Sequence, residues 1–142
     1  MRHAISAVVV LALVGCSSLR PLPIRAGETC FRCRQVIIEP KLAAEIIDAN
    51  GRAFKFRTVG CVAKYLVDHP DEKLAGIWVT DYTSGKFLEA RNATYVRGII
   101  DEATMERNYY AFRSAPEAAA FAKDRTATAV DWLAVMRQAS GN

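Results

Sequence analysis

An α+β fold, two ββα-type units with mainly antiparallel sheet, is what the chain encodes, and three local signals carry that expectation. An Asn50-Gly51 pair sits between two strand-like runs, a second turn signal follows at Thr83-Ser84-Gly85, and helix starts stand at Thr58 and Ser114. The resulting order is hairpin–helix, then hairpin, then strands–helix–strand–helix. Identity between the two halves is negligible, so the duplication lies in the pattern alone. The 142 residues suit one domain and are too few for two ordinary ones.

The chain opens MRHAISAVVVLALVGC. Arg2 and His3 give a short positive start, and Ala7 to Val14 is an uninterrupted apolar run. That run is far shorter than the roughly 20 residues a bilayer span needs. It fits the apolar region of an export signal. Leu13-Val14-Gly15-Cys16 resembles the lipobox of bacterial lipoproteins, where the signal is removed directly before a cysteine that is then acylated. An ordinary signal peptide with an incidental cysteine is the alternative. The resemblance implies that residues 1–15 are a signal peptide and that Cys16 is the lipidation site, carrying palmitate-type chains. Two or more such chains hold a protein on a bilayer firmly. The expected location is extracytoplasmic and lipid-anchored. With Ser17 rather than Asp after the cysteine, that means the outer membrane facing the periplasm in a two-membrane organism, and otherwise the cell membrane. Residues 16–29 then form the lipidated cysteine and a flexible tether, since Ser17 to Thr29 carries Pro21, Pro23 and Gly27 and no apolar periodicity. Fully extended it reaches about 45 Å. Residues 30–142 remain for the folded domain.

Within that domain Leu42–Asp48 and Ala53–Arg57 flank Asn50-Gly51, the strongest short hairpin signal, because both turn residues tolerate positive φ. Phe54 and Phe56 share one face, Lys55 and Arg57 the other. Thr58 caps a helix over Val59–Val67 with Val62, Tyr65 and Leu66 on one side, and His69-Pro70 end it. Gly76–Asp81 and Lys86–Ala90 form the second hairpin. Ala93–Arg97 and Asn108–Phe112 read as further strands. Ser114-Ala115-Pro116-Glu117 is an N-cap with Pro in the first turn and Glu at the third position, opening a helix through Lys123. Thr126–Val130 is β-like, and Asp131 caps a last helix over Trp132–Gln138.

Composition narrows the function. Apolar types make up 51% and charged types 24%, the balance of a globular protein. The net charge of +4 comes from 19 Lys and Arg against 15 Asp and Glu, scattered with no basic block, which argues against a nucleic-acid groove. Only His3 and His69 are present, which excludes a multi-histidine metal site. The chemistry therefore rests on sulfur. Cys30-Phe31-Arg32-Cys33 is a CxxC pair, and Cys61 falls in the first turn of the expected helix, where backbone N–H groups and the helix dipole favour a thiolate. A Cys30–Cys33 disulfide with Cys61 a buried free thiol is the competing reading, since exported proteins form disulfides. So small a loop stabilises little. Nothing βαβ-like precedes the pair, so a thioredoxin-like site is disfavoured. Three thiolates and a distant His69 supply zinc's tetrahedron poorly. Cu(I) is soft, accepts thiolate and thioether, and needs only two or three ligands. Met105, with polar neighbours on both sides, is open between thioether ligand and core gap-filler. Met136, beside Trp132, Leu133 and Val135, reads as core, and His69 as a solvated helix end.

One family orders its motifs this way. The lipobox, the CxxC near the mature N-terminus, Val59-Gly60-Cys61 with Tyr65-Leu66 behind it, Val79-Thr80-Asp81-Tyr82, Glu89-Ala90-Arg91 with Ala93-Thr94-Tyr95-Val96, Met105, and Ala111-Phe112 before an Ala-rich helix resemble the NosL family. The resemblance covers roughly Cys16 to Trp132. These are copper-binding lipoproteins encoded with nitrous-oxide reductase, and relatives of unassigned role. The resemblance implies a duplicated ββα-type fold related in shape to organomercurial lyase. It also implies a non-enzymatic, membrane-tethered Cu(I) metallochaperone for a periplasmic copper enzyme such as nitrous-oxide reductase. Its partners are then the membrane, a copper donor and a copper-enzyme acceptor, with no nucleic acid. Cys30, Cys33 and Met105 fall on the family's soft-ligand positions, and Cys61 on the Gly-Cys of many relatives, so the implied metal set is Cys30, Cys33, Cys61 and Met105. The family commonly follows its second cysteine with Gly-Met. Here Arg34-Gln35 stand there, removing a thioether and adding positive charge, which marks a divergent member. Arg32 or Arg34 is placed to offset the charge of a copper–dithiolate. Two other classes stay open: a structural or interaction lipoprotein whose CxxC is a disulfide, and a thiol-based enzyme resting on fold analogy alone.

Overall fold

The computed structural model describes residues 19–141, so the signal peptide and Cys16 lie outside the described residues. The elements are β1 (Ala44–Asp48), β2 (Ala53–Phe56), α1 (Val59–Asp68), β3 (Leu74–Thr80), β4 (Phe87–Glu89), β5 (Thr94–Asp101), β6 (Glu106–Phe112), α2 (Ala115–Lys123), β7 (Ala129–Val130) and α3 (Trp132–Ser140). Single 3-10 turns at Pro40–Leu42 and Ala90–Asn92 precede β1 and β5. Two sheets form, in the orders β2-β1-β3-β4 and β6-β5-β7, and every strand pairing is antiparallel. In each half the first strand lies in the middle, its hairpin partner on one side and the strand after the helix on the other. The expected duplication is therefore present as topology, a ββαβ order used twice.

The helix starts stand where the capping residues put them. Thr58 Oγ1 accepts from Cys61 N at 3.2 Å, and Asp131 Oδ1 from Ala134 N at 2.8 Å. Ser114 Oγ accepts from Glu117 N at 3.4 Å. The first hairpin turns differently from expectation. Gly51 has φ of 79°, but Asn50 is not left-handed, so the two-residue mirror-image turn is absent. The Asp48 side chain organises a longer loop instead, accepting from Asn50 N and Arg52 N, each at 2.9 Å. Leu42 and Ala43 also leave the expected strand, because Pro40 opens a 3-10 turn that Glu39 caps at Lys41 N.

All five residues of β1 are buried, Glu45 and Asp48 included, so both faces of the strand are covered. One face meets α1, through Ile46, Phe56, Val62 and Tyr65 in the main core. Over the hairpin lies the segment that composition marks as a tether. Leu22 N donates to Glu45 Oε1 at 2.8 Å, and Lys55 Nζ reaches Pro23 O at 2.8 Å and Glu28 Oε1 at 2.6 Å. Gly27 N and Ile37 O then pair at 2.9 Å. A proline-rich, aperiodic stretch signals the lack of helix or strand; it says nothing about docking.

β5 and β6 run longer than their apolar patches suggest and close a hairpin with Met105 in its turn. A second, smaller core of Leu42, Val96, Tyr110, Phe112, Ala118 and Ala122 lies under α2. The halves are joined where Tyr82 N donates to Ala111 O at 2.8 Å, and where α3 packs on α1. Trp132 and Val135 enter the main core, with Met136 packed against it as expected.

Candidate metal centre

The CxxC segment is a tight turn. Thr29 and Val36 bridge antiparallel, Cys30 N donates to Gln35 O at 2.9 Å, and Arg34 N donates to Cys30 O at 3.1 Å. Arg34 closes the turn at φ of 63°, a left-handed conformation that glycine adopts freely. The departure from Gly at this position therefore strains the backbone by about 1 kcal/mol. Phe31 fastens the turn to the domain. Its ring lies 4.6 Å from that of Phe54 and 5.7 Å from that of Tyr65, and its N–H donates to Lys55 O at 2.8 Å.

That docking carries Cys30 and Cys33 to the first turn of α1, where Cys61 projects. The three sulfurs all lie within 4.8 Å of one another, with Cys33 and Cys61 at 3.8 Å. Three thiolates around one ion at about 2.3 Å stand about 4 Å apart, so the trio fits a single soft metal. Cys30 is fully buried, whereas Cys33 and Cys61 are half-buried, and all three are free.

A residue from the other half braces this arrangement. Asn108 Oδ1 accepts from Gly60 N at 2.8 Å, and its Nδ2 donates to Thr58 Oγ1 at 2.9 Å. A Cβ on Gly60 would meet both polar atoms of that amide at 2.9 Å, so the close approach requires glycine.

Within the trio the thiols perturb one another. Cys30 is the thiol pulled well below its ordinary range, because the Cys61 S–H donates to it and the N–H groups of Cys33 and Arg57 reinforce that against the cost of burial. Cys61 is pushed up, as the donor to Cys30 and by burial. The countercharge is a different arginine. Arg32 pairs with Asp68 at 3.5 Å, and Arg34 lies over the Phe31 ring at 5.6 Å. The guanidinium that faces Cys33 is that of Arg57, held from behind by Glu106 at 2.5 Å, with its Nε buried and without a hydrogen-bond partner. In the sequence Arg57 is merely the polar end of an alternating strand, directly before the Thr58 cap.

Met105 stands on the β5–β6 turn at φ of 56° and is 62% exposed, which closes the gap-filler reading. Its chain neighbour Glu106 is the partner of Arg57, which ties this turn to the Arg57 end of β2. His69 is the exposed C-cap of α1, its ring stacked on Tyr65. It has the solvated helix-end place expected of it.

The NosL family profile matches residues 21–139. The chain belongs to the NosL family. Its fold is similar to that in the crystal structure of the copper chaperone NosL from Shewanella denitrificans. The TM-score is 0.66 at 17% identity, covering 80% of this chain and 92% of that one. Among curated proteins none matches. At such low identity the likeness carries the NosL fold, and this chain's own sulfur trio carries the chemistry. On that fold the three thiols form a cluster that could hold a metal ion.

Proposed function

We propose that this NosL protein is an exported, Cys16-lipidated metallochaperone that binds Cu(I) with Cys30, Cys33, Cys61 and Met105. It passes the ion from a copper donor to a copper enzyme such as nitrous-oxide reductase. The observation that carries the reading is the meeting of three sulfurs within 4.8 Å, two of them half-buried. Cu(I) takes soft ligands in low number, so a partner's sulfur or imidazole can join before one of the chain's own leaves. Two thiolates and one Cu(I) leave a single negative charge, which the Arg57 guanidinium offsets from beside Cys33. The exposed thioether of Met105 is the donor best placed to meet a partner first. The protein holds and hands on; no bond in a substrate is made or broken.

Competition for Cu(I) against a chromogenic chelator, on a soluble chain beginning at Ser17, tests this. Cys30→Ser/Cys33→Ser should abolish binding. Met105→Leu should weaken it by about tenfold, the equivalent of 1.4 kcal/mol, with the melting temperature unmoved, because the side chain is exposed. Unchanged affinity in both variants overturns the site. A chain whose trio stays oxidised under mild reductant and never takes up copper returns the cysteines to a structural role.

A further inference from the structure

We propose that the end of the molecule bearing the β1–β2 turn rests on the lipid surface and that the metal centre faces away from it. The inference rests on acylation of Cys16 and goes beyond it, because an anchor alone fixes neither height nor orientation. The N-terminal segment does. From Leu19 to Cys30 the chain runs the length of the first hairpin. Leu19 lies beside Gly51, with its side chain 3.5 Å from where a Cβ would stand. Further along, Leu22 N bonds Glu45 at 2.8 Å and Lys55 Nζ holds Pro23 O at 2.8 Å. Lys55 also pairs with Glu28 at 2.6 Å, before Phe31 N meets Lys55 O at 2.8 Å. Three Cα steps then separate Cys16 from the first docked residue, a reach of about 11 Å. The domain is held near the headgroups.

The end so held suits them. Leu19 is 44% and Leu22 54% exposed. Exposed Arg20 stands with them, as does Arg52, whose guanidinium pairs with Asp48 at 2.7 Å, and exposed Lys73 joins through the Ala49 N to Lys73 O bond at 2.9 Å. Of the exposed acids here, Asp68 is paired with Lys64 and Arg32, and Asp71 stands beside the helix end. Apolar side chains among cations fit an anionic phospholipid surface. The cysteines lie at the opposite end. β2 rises about 13 Å from Ala53 to Arg57, directly before the Thr58 cap and Cys61. α1 starts at that far end and returns toward the turn, where Leu74 pairs with Asp48. The Arg57–Glu106 pair sets the Met105 turn at the far end too. A copper acceptor is thus met from the aqueous side.

The test uses the acylated full-length chain in vesicles of mixed zwitterionic and anionic phospholipid. Benzoylphenylalanine is placed at Asn50 or at Thr104, and photocrosslinks to lipid are counted by mass spectrometry. Asn50 should crosslink several-fold more than Thr104, and a Gly-Ser spacer inserted between Ser18 and Leu19 should bring the two yields together. Equal yields without the spacer overturn the orientation while leaving the anchor intact. An N-terminal peptide of unacylated mass overturns the anchor and the orientation with it.

Discussion

Gly60 decides whether Asn108 can brace the helix that presents Cys61. In an unbraced helix, Gly→Ala stabilises by about 1 kcal/mol. Here the new Cβ would stand 2.9 Å from both polar atoms of the Asn108 amide, which must then give up its bonds to Gly60 N and Thr58 Oγ1. Gly60→Ala is therefore expected to lower stability by about 1–2 kcal/mol in thermal melts. Gly60→Ala/Asn108→Ala should recover part of that loss, a non-additivity a mere propensity change would not show. Solvent access sorts the sulfurs likewise. Cys33 and Cys61 are 3.8 Å apart and half-buried, while Cys30 is sealed, so gentle oxidation should link Cys33 to Cys61 rather than close the CxxC pair. Peptide mapping after titration with oxidised glutathione checks this, and a Cys30–Cys33 bond as the first product contradicts it.

Asp81 plays the corresponding part between elements. It ends β3, receives Ser84 N at 3.1 Å to close the second hairpin, and receives Arg113 N at 3.1 Å from the other half. Burial opposes its charge, yet the bonds from Ser84 and Arg113 outweigh burial and hold the carboxyl below its ordinary range. A depressed carboxyl contributes stability above its unfolded value of about 3.9, and that contribution is lost as pH falls through the folded value. Asp81→Asn should thus cost about 1–2 kcal/mol at neutral pH, with the gap to the parent protein narrowing below about pH 4 in urea melts. The elements themselves were largely legible, because their signals are local. Thr58, Ser114 and Asp131 cap the helices they announce, and the two hairpin turns lie where Gly51 and Gly85 put them. The β5–β6 hairpin was half hidden, since a polar stretch with Met105 in the left-handed position gives no turn signal. In the site, the cysteines announced themselves by spacing and helix position. Arg57 and Asn108 did not, because their partners lie 49 and 48 residues away in the chain. No local pattern encodes that.

At the scale of the molecule, the two ββαβ halves are not interchangeable. The first, with the segment leading into it, supplies the three thiols, and the second supplies the brace at Asn108 and the backing carboxylate at Glu106. Neither half alone holds the centre, so Asn108→Ala and Glu106→Gln should each lower Cu(I) affinity without touching a sulfur, as read by chelator competition. The turn that carries the thiols has a further consequence, for solubility. β2 is the outer strand of its sheet, and the Phe31 N–H fills one of its carbonyls, at Lys55. β4 and β7 are three and two residues long, too short to recruit a stranger, and β6 meets Asp81 at Ala111. The CxxC turn is thus also the guard on the sheet's most vulnerable border. A chain trimmed to begin at Gln35 would bare β2 to pairing with its own copies, and should grow in light scattering at concentrations where the longer chain stays monodisperse.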